Sequence, residues 1–285
     1  MNYLGQLSVD TSNHVITGAM ADFADKRDSQ CLQNIVDQTV KNLESNGIKM
    51  GQLIADTGYS SGEALKYLEE KNIDAYIPNF GQYKPERDGF IYNETLDQYE
   101  CQRGNKAILP LKSTRRKYRD YESKCYRSSE SICKNCTHRE QCCGLKTKFK
   151  KIDHSIYKGY YDRQHKKLTA NKAYAQRMSR LRSSTVEPVL GTLINFLNMK
   201  RVNTRGIELA NKHVLMSAMT YNLKKYLKFI NKRAISKAIA IKAEIKSVFF
   251  TYFTVFWLIL CRFKPVFSSI ENHSQKNKLQ LKRMF

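Results

Sequence analysis

Residues Leu53–Leu65, LIADTGYSSGEAL, constrain the fold more than any other stretch of the chain. Leu53, Ile54 and Ala55 read as a short apolar strand that ends abruptly at Asp56. Gly58 and a serine pair follow, and Leu65 and Leu68 then fall on one face of a helix. A carboxylate just past the end of a buried strand sits where an α/β sheet opens into a crevice, the usual ligand position in such folds. Asp-Thr-Gly is also an ordinary turn sequence, so Asp56 alone does not decide between a site and a turn.

The flanking residues supply compatible elements. Apolar positions from Leu4 to Ala19 alternate or run together and break at Ser12-Asn13, which predicts a β-hairpin. Asp28 and Ser29 open a helix that carries Cys31, Leu32, Ile35, Val36, Val40 and Leu43 at helical spacing and stops at Asn46-Gly47. Beyond the Asp56 strand, a helix extends to about Lys71, and a short strand, Asp74–Ile77, is closed by Pro78.

From residue 80 to residue 150 the pattern changes. Turn residues, tyrosines and charges replace periodic apolar faces, which predicts an insertion with little core of its own. Five of the eight cysteines fall within Cys125–Cys143. No secretory leader is read in MNYLGQLSVD, so a disulfide framework is not expected. Cys133-x-x-Cys136 with further thiols nearby reads instead as a tetrahedral zinc site. The expected ligands are Cys101, Cys133, Cys136 and Cys142, with Cys125 or Cys143 as substitutes and His138 left at the surface. Cys31 and Cys261 read as core residues.

Charge divides the chain sharply. Residues 1–100 hold 8 Lys/Arg against 16 Asp/Glu, and residues 101–285 hold 41 against 10. A half so basic is the footprint of a nucleic-acid partner. A basic helical tract covers Tyr157–Leu181, and helices follow from Pro188 to about Leu197 and from Gly206 to about Ile230. Val248–Cys261 is an apolar-aromatic run too short for a bilayer span of about 20 residues, so a buried helix or strand is expected there, with a polar, disordered tail expected after Pro265.

Within the basic region, Glu187 is the only acidic residue between Asp162 and Glu208. It is either neutralised by neighbouring arginines or placed to hold a divalent cation. A third reading is a capping box, with Ser184 as N-cap and Glu187 reaching back to a backbone N–H.

Three stretches carry a family resemblance. ADTGYSSGEALKYLEEKNIDAYIP resembles the segment that bears the second aspartate of DDE transposases of bacterial insertion sequences. RLRSSTVEPVLGTLINFLNMKRVNTRG, continued by IELANKHVLMSAMTYNLKKYLK, resembles their glutamate segment. YLGQLSVDTSNHVITGAMADFADKRDSQ is similar to the paired strands that precede the second aspartate, so the likeness runs over about residues 3–230. The cysteine stretch YEC…CKNCTHREQC resembles an insertion found in related transposases.

The resemblance implies an α/β, RNase H-like mixed sheet with flanking helices, a cysteine-rich insertion and a helical C-terminal part. On that reading the divisions are 1–79 for the first part of the core, 80–150 for the insertion, 151–232 for the part completing the core, and 233–285 for an apolar segment and tail. Asp56 and Glu187 become two of three carboxylates that bind Mg²⁺ or Mn²⁺ for strand cleavage and transfer of insertion-sequence DNA. Arg180, Arg182, Lys200, Arg201 and Arg205 are expected to face phosphates, affording affinity rather than sequence readout.

Two departures from the family qualify this. Relatives often place an arginine four residues before the glutamate, where this chain has Ser183, with Arg182 one position earlier. Asp10 does not match the first-aspartate motif, so the sequence is expected to be a C-terminal part lacking the first strand and its aspartate, inactive alone. The rival reading is a non-catalytic DNA-binding remnant. Expected partners are DNA at the insertion-sequence ends and target, with a homodimer or assembly with full-length transposase possible, in the cytoplasm at the nucleoid.

Overall fold

The first residues fold into a hairpin in which β1 (Tyr3–Val9) and β2 (Ile16–Phe23) pair antiparallel, Tyr3 opposite Phe23. The computed structural model describes every residue except 1, 80, 82, 118–120, 145 and 282–285, with side chains described for all of the rest but 117, 121, 234, 238, 240 and 255–281. Helix α1 (Asp28–Glu44) buries Cys31, Leu32, Ile35, Val36 and Thr39, a stripe at helical period. It ends before Gly47, whose φ of +71° suits a residue without a Cβ.

Strand β3 (Gln52–Ile54) leads through a 3₁₀ turn (Thr57–Tyr59) into α2 (Gly62–Glu70) and β4 (Asp74–Tyr76). β3 and β4 pair parallel, with Leu53 opposite Ala75. All six elements expected for residues 3–77 are present, within a few residues of their expected ends. Leu32, Val36, Ala64, Leu68, Ala75 and Ile77 form one core beneath them. Each large aliphatic side chain buried there contributes about 1.5–3 kcal/mol.

The β1–β2 and β3–β4 pairs are separate two-stranded sheets rather than one mixed sheet. Their outer edges are closed by side chains. The backbone N–H groups of Ile16 and Ala21 on β2 donate to Asn222 and Asn211 at 2.9 and 3.0 Å, and Ala19 donates to Gln38 at 3.2 Å. On β4, Gln164 donates to the Ala75 and Ile77 carbonyls at 3.3 and 3.0 Å.

The region expected to lack a core has one. β5 (Phe90–Asn93), β6 (Gln98–Cys101), β7 (Ile108–Lys117), β8 (Tyr121–Arg127) and β9 (Lys151–Ser155) form an antiparallel sheet in that order. Its centre is Tyr99, Leu109 and Tyr126, all fully buried. Two short helices, α3 (Glu130–Lys134) and α4 (Arg139–Cys143), lie in the β8–β9 connection. Tyrosines with satisfied hydroxyls replace aliphatic residues here, so the strands lack the apolar alternation that would mark them in sequence.

The basic tract forms α5 (Lys158–Ala170) and α6 (Lys172–Phe196), followed by α7 (Ile207–Leu281). Pro188 lies inside α6 instead of opening a new helix. The chain divides into two compact units, Met1–Asn222 and Leu223–Phe285. In the first, Val189 and Leu193 of α6 and Ala210, Val214, Ala218 and Tyr221 of α7 bury Ile16, Ala19 and Ala21 of β2. In the second, Val248, Phe249, Phe250, Tyr252 and Phe253 are helical but exposed, which corrects the expectation of burial. The side chains of 255–261, including Cys261, lie outside the described residues, and the stretch after Pro265 is helical to Leu281. No helix among the described residues is long and apolar enough to cross a membrane.

Candidate active site

Asp56 occupies the step between β3 and the 3₁₀ turn. Its Oδ1 accepts from the Gly58 N–H at 2.9 Å, so the turn reading holds. The other oxygen faces outward, with Oδ2 3.8 Å from Nη1 of Arg182. The same guanidinium reaches Glu187, Nη2 to Oε1 at 3.4 Å. Sequence-distant β3 and α6 thus bring Asp56 and Glu187 to one face of the protein, joined by Arg182.

The capping-box reading of Glu187 does not survive. Ser184 and Glu187 lie in the interior of α6, whose N-terminus is capped by Asn171, accepting from Tyr174 N–H at 3.0 Å. Ser184 donates instead to the Leu181 carbonyl at 3.1 Å. Ser183, one turn before Glu187, borders the same surface depression as that glutamate, and it is Arg182, one position off the family pattern, whose long side chain makes both contacts.

A third carboxylate is close. Asp28 at the start of α1 approaches the same glycine: a Cβ on Gly58 would stand 3.0 Å from Asp28 Oδ2 and 3.1 Å from Asp56 Oδ1. Gln6 donates to the other Asp28 oxygen at 3.0 Å, and the Tyr59 hydroxyl donates to Gln6. Burial, reinforced by the charges of Asp28 and Asp56, raises the Tyr59 phenol far above its ordinary range. The sequence marks Asp28 as a helix opener, which it is. Its approach to Asp56 needs the tertiary fold and leaves no local signal.

The carboxylate oxygens suit a hard cation by type. Their arrangement does not make a cage, because Arg182 stands between Asp56 and Glu187. Among the described residues no group of three or more His, Cys, Asp or Glu side chains is placed to hold a metal. Arg182 is not a strong lock, since partly exposed pairs of this kind contribute about 0–1 kcal/mol.

The remaining expected residues fall in two places. Arg180 is exposed and borders the same surface depression as Glu187. Lys200, Arg201 and Arg205 are exposed in the connection between α6 and α7. Cys101, Cys133, Cys136 and Cys142, with Cys143 and the exposed His138, border one cavity of about 420 Å³. Cys125 is not among its lining residues, but lies buried beside Asp153. The thiols point to separate partners: Cys133 donates to Ser128 Oγ and Cys101 to the Arg103 carbonyl, both at 3.0 Å. A Cβ on Gly104 would come within 2.4 Å of Cys136 Sγ, so Cys136 nests against that glycine. Cys31 is fully buried, as expected, and burial, then Asp22, pushes its thiol up to about 12.

No curated protein and no solved structure matches the chain. A family model described as the transposase DDE domain matches residues 100–227, which takes in Glu187, Arg182 and the cysteine stretch and leaves Asp56 outside. Residues 100–227 are thus similar to the transposase DDE domain, which supports a DDE-type transposase.

Proposed function

We propose that Asp56 and Glu187 together hold a divalent cation against a DNA phosphate, for strand cleavage and transfer within an RNase H-like core. Transposition is the family role, and its chemistry uses divalent metal ions on DNA. The observation that carries the proposal is the convergence of Asp56 and Glu187, 131 positions apart, on the Arg182 guanidinium. A bound Mg²⁺ or Mn²⁺ would activate the attacking oxygen and stabilise the leaving one. The chain's own part is positional. Asp56 and Glu187 would hold the cation, Arg182, which contacts both acids, would face the phosphate, and Asp28 would add negative charge behind Asp56. Arg180, Lys200, Arg201 and Arg205 hold the DNA backbone.

One observation favours a second reading, a DNA-binding protein without turnover: Arg182 already neutralises the two acids that a metal would need. Incubating the protein with DNA from the ends of its insertion sequence and Mn²⁺ separates the two. Metal-dependent nicks that disappear in Asp56→Ala and Glu187→Ala would establish the catalytic reading and overturn the expectation that this sequence is inactive alone. Retained binding with no nicks in wild type or either variant would establish the second reading.

We propose also that Cys101, Cys133, Cys136 and Cys142 take up zinc. The support is their shared cavity. As placed, Cys101 and Cys133 spend their protons on oxygen partners, so zinc uptake requires both thiols to ionise and leave those partners.

A further inference from the structure

We propose that α7 beyond Asn222 lies on the surface of an anionic lipid bilayer, with its apolar side turned into the headgroup layer. Leu223–Phe285 forms a unit by itself, and it is helical to Leu281.

The first observation is the pattern along that helix. Leu223, Leu227, Ile230, Ile241, Ile245 and Val248 follow at steps of four, three, eleven, four and three residues, which puts them on one side. Tyr252 extends the stripe by another turn. Cations flank it on both edges, Lys224, Lys228, Lys242 and Lys246 along one and Arg233 and Lys237 along the other. Ile235 and Ile239 fall among the lysines, so the division is cleanest before Arg233 and after Ala240. From Leu223 to Thr254 there are 8 Lys/Arg against one acid, Glu244.

The second observation is exposure. Every residue of the stripe is exposed, from 41% at Ile230 to 73% at Tyr252. A contiguous apolar surface rimmed by charge marks an interaction site.

The third is aromatic content. Phe249, Phe250, Tyr252 and Phe253 are exposed at successive positions around the helix, and in sequence the run continues to Cys261. An apolar run of about 10–14 residues is a core helix or an interfacial segment, and exposure removes the first. Among the described residues no helix is long and apolar enough to cross a membrane, so the helix lies on the bilayer instead of spanning it.

Charge and shape together choose the occupant. DNA would engage the lysines and leave the apolar stripe in water. A second copy would cover the stripe, but would bring its own cations alongside and leave the aromatic residues outside the stripe uncovered. Anionic lipid satisfies both sides. Lysine amines reach out to phosphate headgroups while their methylenes and the apolar side chains enter the acyl boundary. The inference concerns the second unit alone and is independent of whether the acidic pair binds metal.

The single tryptophan, Trp257, stands within the aromatic run and reports on it. Mixed with vesicles of phosphatidylglycerol and phosphatidylcholine, the whole chain should cosediment. Its tryptophan emission should shift to the blue and be quenched by lipid brominated in the acyl chain. Vesicles of phosphatidylcholine alone should bind roughly tenfold more weakly. The double substitution Ile241→Ser and Ile245→Ser changes no charge, and should weaken binding to the mixed vesicles roughly tenfold, with the melting temperature recorded alongside. Charge alone adsorbs a basic protein to anionic vesicles. Unshifted emission, or cosedimentation that the double substitution leaves unchanged, would therefore overturn the proposal. So would a dimer whose emission is already blue-shifted without lipid and unmoved by vesicles, because a second copy would then cover the helix.

Discussion

His154 shows how one residue ties the antiparallel sheet together and makes it sensitive to acid. Its Nδ1 is 2.8 Å from the Tyr99 hydroxyl and its Nε2 3.0 Å from that of Tyr126. Tyr126 donates its proton to Asp97 at 2.6 Å, so its oxygen accepts from His154 Nε2–H, and Nδ1 accepts from Tyr99. The neutral imidazole fits both bonds, and imidazolium would require the Tyr99 oxygen to accept instead of its hydroxyl donating. Burial, then the charges of Lys158 and Lys124, pushes His154 down to about 4. Burial alone would raise Asp97, but hydrogen bonds from Lys124, Tyr126 and Tyr92 outweigh it and pull the carboxyl down to about 2.

Both folded-state values are depressed, so both groups add stability at higher pH. The unfolded histidine binds its proton first, and stability falls as pH drops from about 6.5 through 4, by on the order of 3 kcal/mol in all. Asp97 adds a smaller loss below that window. Urea unfolding at pH 7 and pH 4.5 should show a loss that His154→Gln largely removes. An equal loss in that variant would place the acid sensitivity elsewhere.

Among the elements, those built on aliphatic periodicity were legible in sequence and those built on tyrosine were not. The hairpin, α1, β3, α2 and β4 follow from Leu, Ile and Val at periods of 2 and 3.6. The antiparallel sheet depends on Tyr99 and Tyr126, whose burial requires partners on other strands that no local pattern reveals. Pro188 suggested a helix start, yet packing of Val189 and Leu193 on the hairpin carries α6 through it. Asp56 and Glu187 were legible because each stands out locally, one at a strand end and one in a basic run. Asp28 and the bridging role of Arg182 were not, because the first depends on α1 packing against the turn after β3 and the second on α6 reaching that turn.

The cysteine stretch can be tested at the same scale. Purified protein should contain about one zinc per chain, the norm for a single structural site, and Cys136→Ser should lose it. Metal-free protein with all its thiols titratable would leave α3 and α4 held by hydrogen bonds alone.

For the whole molecule, the informative property is the separation of charge between an acidic first hundred residues and a basic remainder. Five basic residues, Arg180, Arg182, Lys200, Arg201 and Arg205, are assigned to phosphates. About five such contacts predict an affinity for duplex DNA that falls on the order of 10²–10³-fold between 50 and 200 mM salt, with little dependence on sequence. Fluorescence anisotropy across that range measures the slope, and a flat response would remove DNA from the account.

The central claim is that Asp56 and Glu187 form one site, and Mn²⁺ titration calorimetry tests it most directly. With two carboxylates and a competing guanidinium, wild-type protein should bind Mn²⁺ weakly. Asp56→Ala and Glu187→Ala should each abolish that binding, the double variant should lose nothing more, and Arg182→Ala should tighten it several-fold, on the scale of one exposed ion pair. Binding that survives both single substitutions, or that is unchanged by Arg182→Ala, would contradict the shared site.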